Sequence, residues 1–480
     1  MASEEDFKFQ SFVSERAKQR KPHNFWSNVP KVNNPHPNPI QLIGGLPNYQ
    51  FFPVDSIDVH LRNEPFSNND EKLFTLNSVS PDNDNIIDIK TALQYSEVSG
   101  INPLLNQIKQ FVKRVPRPIT NNWDVVCTLG GSDGIGKTFD ILINPGDCVL
   151  FEEFTFTPVI GLLKERGGIP IPIKIENILE NSIVDYATEL ENLLKNWSTL
   201  KPNLPKPKVL YTIPNGHNPL GLAQSIEHKK KIYKLAETYN FIILEDEPYS
   251  YLNFDKYNDP NTNFNLTNDE FINSLNPSYK TIDVSDRVIR VETFSKIFAP
   301  GMRLGFIVAH PKFIPYYNSS AALFTRSPNG YSQIFLNNTI IQLGGIEGWI
   351  KWIIKVRNEY LKRKNVYVTS LINSKAYEKG YLNPIDPNCG MFVPIIVNVK
   401  NHKNFNGENF DELMDQFYIK AVQSGVLVVL GRNMTVDNKL SASRSNFIRT
   451  AICYVDSHDI LKEAVSRLNE ATINFFEDTY

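Results

Sequence analysis

Only four cysteines (Cys127, Cys148, Cys389 and Cys453) stand in 480 residues, and no two share a CxxC spacing. That scarcity argues against a zinc site or a disulfide framework and suits a reducing compartment. An excess of one charge is lacking too: 50 Lys and Arg oppose 52 Asp and Glu, a formal net charge of −2. Nothing in that balance draws the chain to nucleic acid or to an anionic membrane. No apolar run reaches the length of a membrane span. Met1 to Asp6 is acidic and lacks the apolar centre of a signal or transit peptide, and Glu477-Asp478-Thr479-Tyr480 matches no address signal. The expectation is a cytoplasmic protein with no metal and no nucleic-acid or membrane partner. Hydrophobic residues at 41% and charged residues at 21% are ordinary for a globular chain. The length exceeds what one core usually serves, so two domains or more are expected.

Residues 21–40 are rich in Pro and Asn and read as an extended arm, followed by a turn at Gly44-Gly45-Leu46-Pro47. From about residue 100, apolar strands alternate with helices. Val125–Leu129, Cys148–Phe151, Lys208–Thr212, Phe241–Leu244 and Val288–Val291 read as strands, and Glu227–Tyr239 as a charged helix. Short apolar strands between helices predict a mainly parallel sheet covered on both faces. Residues 253–280 are Asn-rich and patternless, which reads as a surface insertion. Trp349–Tyr360 is amphipathic with basic residues on one side. Such a stripe can lie on a membrane, but it reads better as a core-facing helix linking two domains. Residues 390–480 read as a small α/β domain.

What is present in strength is the run Thr293-Phe294-Ser295-Lys296-Ile297-Phe298-Ala299-Pro300-Gly301-Met302-Arg303-Leu304-Gly305. It sets one lysine after two hydroxyls at a strand end, with an arginine seven residues on. A covalently held aldehyde cofactor such as pyridoxal phosphate needs that lysine, and its phosphate needs hydroxyls and a fixed cation. Asn218, after a strand, can donate to the cofactor's phenolic oxygen. Asp246 ends the next strand, where a carboxylate can hold the pyridine N–H; Tyr249 follows three residues on. Phe156 can lie over the ring, and Arg449, on a late apolar strand, has the planar shape that suits an α-carboxylate. Each has a plainer reading: a strand-end cap for Asp246, a core ring for Phe156, a structural ion pair for Arg449.

Gly131-Ser132-Asp133-Gly134-Ile135-Gly136-Lys137-Thr138 matches the GxxxxGK[ST] phosphate loop, and Phe241–Glu247 looks like an apolar strand with acidic metal-holding residues. A P-loop NTPase is therefore the distant alternative. It leaves Lys296, Asn218 and Arg449 without a role. A glycine-rich turn at a helix N-terminus also binds any phosphate through backbone N–H groups and the helix dipole.

In the order GSDG, NPLG, DEPY, SKxxAPGxRxG and a late strand arginine, the chain resembles the fold-type-I aminotransferases that use pyridoxal 5'-phosphate. Within them it resembles the fungal aromatic amino acid aminotransferases and the 2-aminoadipate/kynurenine group. Gly44-Gly45-Leu46-Pro47, Ala92-Leu93-Gln94-Tyr95-Ser96 and Pro214-Asn215-Gly216 add to the likeness, which spans about residues 40–455. The resemblance implies an α/β fold: a large domain (61–345) with a mainly parallel seven-stranded sheet between helices, a small α/β domain (346–480), and an N-terminal arm (1–60) on the small domain and the site entrance. It implies Lys296 as the covalent anchor and proton carrier, Asp246 on the pyridine nitrogen, and Asn218 and Tyr249 on the phenolic oxygen. Ser132, Asp133, Thr293, Ser295 and Arg303 would surround the phosphate and Phe156 would stack on the ring. Arg449, with Gly45 and Asn218, would bind substrate. Tyr95 matches the tyrosine that reaches the neighbouring subunit's phosphate, which implies a homodimer with shared sites. Leu220 stands where Thr is common, Thr293 replaces a frequent Ser, Asp133 puts a carboxylate near a phosphate, and Cys389 stands where a second Gly is common. The expected activity is transamination of Phe, Tyr and Trp with 2-oxoglutarate or aromatic 2-oxo acids as acceptors; 2-aminoadipate or kynurenine is the alternative donor. A catalytically silent regulator domain of the same fold would need an N-terminal DNA-binding domain, for which about 40 Pro- and Asn-rich residues are too short.

Overall fold

Runs rich in β-branched and aromatic residues, bounded by Gly, Pro and Asp, become strands throughout the chain. The structure is a computed structural model and describes residues 9–21, 30, 32–34, 36–40, 42, 44–66, 71–77, 84–176 and 184–477. Its strands are β1 (Ser56–Arg62), β2 (Glu71–Asn77), β3 (Asp124–Thr128), β4 (Cys148–Glu152), β5 (Ile169–Ile173), β6 (Val209–Thr212), β7 (Ile242–Asp246), β8 (Val288–Thr293), β9 (Gly305–Ala309), β10 (Leu382–Pro384), β11 (Phe392–Val397), β12 (Val429–Leu430) and β13 (Phe447–Ala451). A seven-stranded sheet runs β3-β9-β8-β7-β6-β4-β5, and a four-stranded antiparallel sheet runs β10-β11-β13-β12. β1 and β2 form a separate hairpin.

The large sheet is parallel except for β9, which runs antiparallel to both β8 and β3. Neither β9 nor β5 is anticipated by the sequence reading. β5 hides behind its composition, Ile-Pro-Ile-Pro-Ile. It is the edge strand, paired only to β4, so the missing N–H groups of Pro170 and Pro172 break no central ladder. Alternate strand residues go to opposite faces, as the pleat requires. Val149, Tyr211 and Leu244 join the core against helix Gly131–Leu142, whereas Leu150, Leu210 and Ile243 join the one against helices Ala187–Lys195 and Ile226–Tyr239.

Helix Gly345–Ile372 links the two sheets. Ile346, Trp349, Ile350 and Ile353 pack in the large-sheet core, and Tyr367, Val368 and Leu371 pack under β11 and β13. Its apolar stripe is therefore a core face. Among the described residues no helix is long and apolar enough to cross a membrane.

Two expectations are corrected. Residues 9–20 do not lie on the small domain. Phe9, Phe12, Val13 and Ala17 have helical spacing and insert into the large-sheet core beside Phe139 and Ile141. Ser14 N–H bonds Ile141 O at 2.7 Å, and Arg20 pairs with Asp140 at 2.6 Å. The 253–280 stretch is not a patternless insertion either. It holds helix Asn268–Ser274, closed by a capping box between Thr267 and Glu270. Asn253 O accepts from Arg357 at 2.8 Å and Asp255 pairs with the same guanidinium at 3.1 Å, which fastens the linking helix to the large domain.

The turn after β6 also meets β11 through backbone. Gly221 has φ +66°, and a Cβ there would lie 2.3 Å from Phe392 O on β11. Gly221→Ala adds left-handed strain to a backbone collision, so its unfolding free energy should fall by about 2 kcal/mol or more. Gly407, at φ +92° with open space around it, isolates the strain alone; Gly407→Ala should lose about 1 kcal/mol. Urea unfolding of both variants measures the difference.

Candidate active site

Strands that run the same way finish on the same side, and the turns after β3, β4, β6, β7 and β8 open together into one cleft of about 210 Å³. This carboxyl edge is where open α/β sheets bind ligands. Ser132, Phe156, Asn218, Asp246, Tyr249, Thr293, Ser295, Lys296 and Arg303 all line it. Lys296 ends a short turn whose cap is Thr293: Thr293 Oγ1 accepts the Ser295 N–H at 3.2 Å and lies 2.9 Å from Ser295 Oγ. Among the described residues the Lys296 ammonium makes no hydrogen bond or ion pair, so it stands free in the cleft.

One end of the cleft is built for an anion. Gly130, at φ +100°, starts helix Gly131–Leu142 without any side-chain cap, which leaves first-turn N–H groups open. A Cβ on Gly130 would come within 2.7 Å of Arg303 Nη2. Arg303 itself sits in the left-handed region (φ 49°, ψ 50°), which costs a non-glycine residue roughly 1–2 kcal/mol. Its guanidinium is braced on Leu129 O at 3.0 Å and Pro300 O at 3.1 Å. Asp133 does not line the cleft. It turns its carboxylate back to the Leu129 N–H (2.9 Å) and the Lys137 ammonium (2.7 Å).

That arrangement removes the nucleotide-loop reading. Lys137 is buried inside the helix, bonded to Asp133 and to Thr325 Oγ1 at 3.0 Å, and reaches no phosphate position. The two glutamates flanking Asp246 are likewise occupied: Arg290 on β8 pairs with Glu245 at 2.5 Å and Glu247 at 3.4 Å. Among the described residues no cluster of three His, Cys, Asp or Glu is arranged to hold a metal ion.

In the middle of the cleft lies Asp246, buried at the end of β7, with Tyr211 Oη donating to its Oδ2 at 2.7 Å. Burial pushes this carboxyl up to about 6; the Tyr211 bond pulls it down and the charge of Glu152 adds to the rise. Phe156 and Ile213 line the same cleft and supply its apolar surface. Tyr249 packs edge-on to Phe392, ring centroids 5.5 Å apart. Tyr211 and Pro248 fall within the strand and the DEPY motif read from the sequence, but neither they nor Ile213 are given a role there. For Ile213 a signal existed in its place at the strand end, directly before the Pro214-Asn215-Gly216 turn.

At the far side Arg449, on β13, donates from Nη1 to Asn218 Oδ1 at 2.9 Å and stacks over the Phe392 ring at 4.5 Å. This bond commits the Asn218 oxygen and leaves its NH₂ to donate into the cleft. Arg449 Nε is buried without a hydrogen-bond partner, as befits a group awaiting a carboxylate. Two expected residues stand elsewhere. Tyr95 is 74% exposed and Gly45 has nothing within 4 Å of a Cβ position. Both belong to an outer surface where Gln94 Nε2 bonds Pro47 O at 2.8 Å.

The donor set fits pyridoxal 5'-phosphate. A free lysine, an uncapped helix start with an arginine and hydroxyls, a buried carboxylate and an amide donor match the aldehyde, phosphate, pyridine nitrogen and phenolic oxygen in turn. Comparisons agree with this geometry. Residues 64–468 match the family described as Aminotransferase class I and II. The chain is 35% identical to Aromatic amino acid aminotransferase 2 of Saccharomyces cerevisiae, over 98% of this chain and 96% of that one. It is 31% identical to an aromatic amino acid aminotransferase of Schizosaccharomyces pombe, over 84% and 85% of the two chains. Among solved structures, the aromatic aminotransferase Aro9 from C. albicans superposes with a TM-score of 0.91 at 39% identity, covering 98% of each chain.

A carboxyl raised from 3.8 to about 6 weakens the cofactor-free fold progressively as pH climbs through that interval, and not at all below it. Asp246→Asn removes this cost. The cofactor-free variant should be more stable than the parent by about 1–3 kcal/mol at pH 8, with no advantage near pH 4, while its turnover falls about a hundredfold or more. Urea unfolding at the two pH values, beside an activity assay, checks both halves; a variant less stable than the parent at pH 8 contradicts the account.

Proposed function

The chain belongs to the class I and II aminotransferases, and on that premise we propose that it transfers the amino group of phenylalanine, tyrosine and tryptophan to 2-oxoglutarate or an aromatic 2-oxo acid, with pyridoxal 5'-phosphate as resident cofactor. When bound, the cofactor supplies a protonated, electron-withdrawing ring that accepts the charge left as the substrate Cα–H bond breaks. Lys296 is its covalent anchor and takes up and returns the proton that transamination moves. Asp246 holds the ring N–H, and Asn218 and Tyr249 donate to the phenolic oxygen. Ser132, Thr293, Ser295, Arg303 and the N–H groups at the helix start, that of Asp133 included, hold the phosphate. Phe156 and Ile213 keep the ring plane fixed and exclude water. Arg449 binds the α-carboxylate, the one end that amino acids and 2-oxo acids share.

The observation that carries this reading is one cleft lined by Lys296, the buried Asp246, Arg303 and Asn218, with Arg449 bonded to Asn218 and its Nε unpaired. Aromatic donors are favoured by the activity that the S. cerevisiae relative's name states.

A cytoplasmic homodimer with shared sites belongs to the same proposal. Leu46, Tyr49 and Tyr95 line one surface pocket, and Phe51, two residues after Tyr49, is 81% exposed, an apolar area suited to a second copy. There Tyr95 would reach the phosphate, and Gly45 the substrate, of the neighbouring subunit. The proposed division at residues 345/346 falls at the start of the linking helix.

Single half-reactions with Phe, Tyr, Trp, 2-aminoadipate and kynurenine test the reading. The three aromatic donors should react at least about tenfold more efficiently than the other two, a difference of about 1.4 kcal/mol. A lead for 2-aminoadipate or kynurenine would move the assignment to that group. Arg449→Lys keeps the charge but loses the planar contact and the bond to Asn218. It should weaken donors and acceptors alike by about 1.5–3 kcal/mol while leaving the order of donors unchanged. A changed order would place Arg449 in the side-chain pocket.

A further inference from the structure

We infer that Tyr211 is a positioning residue for the reaction: its hydroxyl, through Asp246, keeps the proton on the cofactor's ring nitrogen. The inference rests on the cofactor reading above and adds a residue that does not line the cleft.

Tyr211 is fully buried on β6, in register with Leu244 on β7 and Phe151 on β4. From there its hydroxyl reaches Asp246 Oδ2 at 2.7 Å. Among the described residues no other group donates a hydrogen bond to that carboxylate, so Oδ1 is left for the ligand. Just behind stands a second buried acid. Glu152 accepts from Thr212 Oγ1 at 2.6 Å, from Gln224 Nε2 at 2.9 Å and from the Ile213 N–H at 3.2 Å, and His217 Nε2 lies 3.3 Å from it. The three hydrogen bonds fix Glu152 in place.

The sign of each effect follows. Burial and the Glu152 charge both favour the neutral form of Asp246, and the Tyr211 hydrogen bond opposes them. A carboxylate facing a pyridine nitrogen shares one proton with it. Whatever stabilises the carboxylate leaves that proton on nitrogen, and whatever destabilises it draws the proton onto Asp246. Without Tyr211 the pair drifts toward neutral acid and neutral pyridine, and the ring loses its electron demand. Phe151 packs on the Tyr211 ring at 5.3 Å and fixes where the hydroxyl points.

The experiment loads the full-length enzyme with pyridoxal phosphate labelled with ¹⁵N in the ring and records the ¹⁵N resonance of the parent and of Tyr211→Phe. In the parent the nitrogen should be protonated. In Tyr211→Phe the resonance should move toward the unprotonated position, with kcat down tenfold or more and KM for the donor within about threefold. A second variant carries 3-fluorotyrosine at 211, which keeps the hydroxyl and makes it a stronger donor. It should hold the ring proton and keep kcat within about twofold of the parent. An unchanged resonance in Tyr211→Phe overturns the inference. So does a deprotonated ring in the fluorotyrosine enzyme, which also decides the matter if the Phe variant does not fold. Failure of the parent to bind the label at all would refute the cofactor reading instead, so the two failures are distinguishable.

Discussion

Strand direction is the constraint on which the rest depends. Six of the seven large-sheet strands run the same way, and only β9 opposes them. The turns that carry Ser132, Phe156, Asn218, Asp246 and Lys296 therefore all leave one edge of the sheet, although 164 positions separate the first from the last. β9 enters at that same edge because it is reversed, which brings Arg303, two residues before it, to the anion end. No single loop makes the cleft. It forms wherever the parallel ladder forms, and the small sheet then needs to contribute only Arg449 and the ring of Phe392 to close it.

Beneath the cleft, buried charge is arranged so that one carboxylate stays available. Glu245, Glu247 and Glu292 surround Arg290, and Ser278 adds a short bond to Glu245. Glu152 is held by Thr212 and Gln224. Each of these acids is engaged by protein partners through at least one oxygen. Of the buried acids Asp246 is the one that lines the cleft, with one oxygen committed to Tyr211. Burial makes it costly as a free anion, so it is poised to take up a cationic N–H.

The parts of this arrangement that were legible in the sequence are those written locally. Lys296 with its hydroxyls and Arg303 lie within one run of residues, and strand ends are marked by Pro, Gly and Asp, so Asn218 and Asp246 could be placed without any fold. Tyr211 could not. It sits in the middle of a continuous buried run, where nothing in a one-dimensional pattern tells which alternate side chain will meet the end of the neighbouring strand. The pairing of Lys137 with Asp133 was equally hidden behind a motif that both phosphate-binding readings share. β5 was obscured by prolines that only an edge position tolerates. The Asn-rich 253–280 stretch concealed a capped helix, because the value of Asn253 and Asp255 lies in their contacts with Arg357, 104 and 102 residues away.

The central claim is that Lys296 is the reactive amine of this cleft. The most direct measurement is reductive trapping: the protein is loaded with pyridoxal 5'-phosphate, reduced with borohydride, digested and mapped by mass spectrometry. The account predicts one modified peptide, carrying the reduced cofactor on Lys296. Modification confined to another lysine, Lys137 included, or no stable modification at any site, would contradict it.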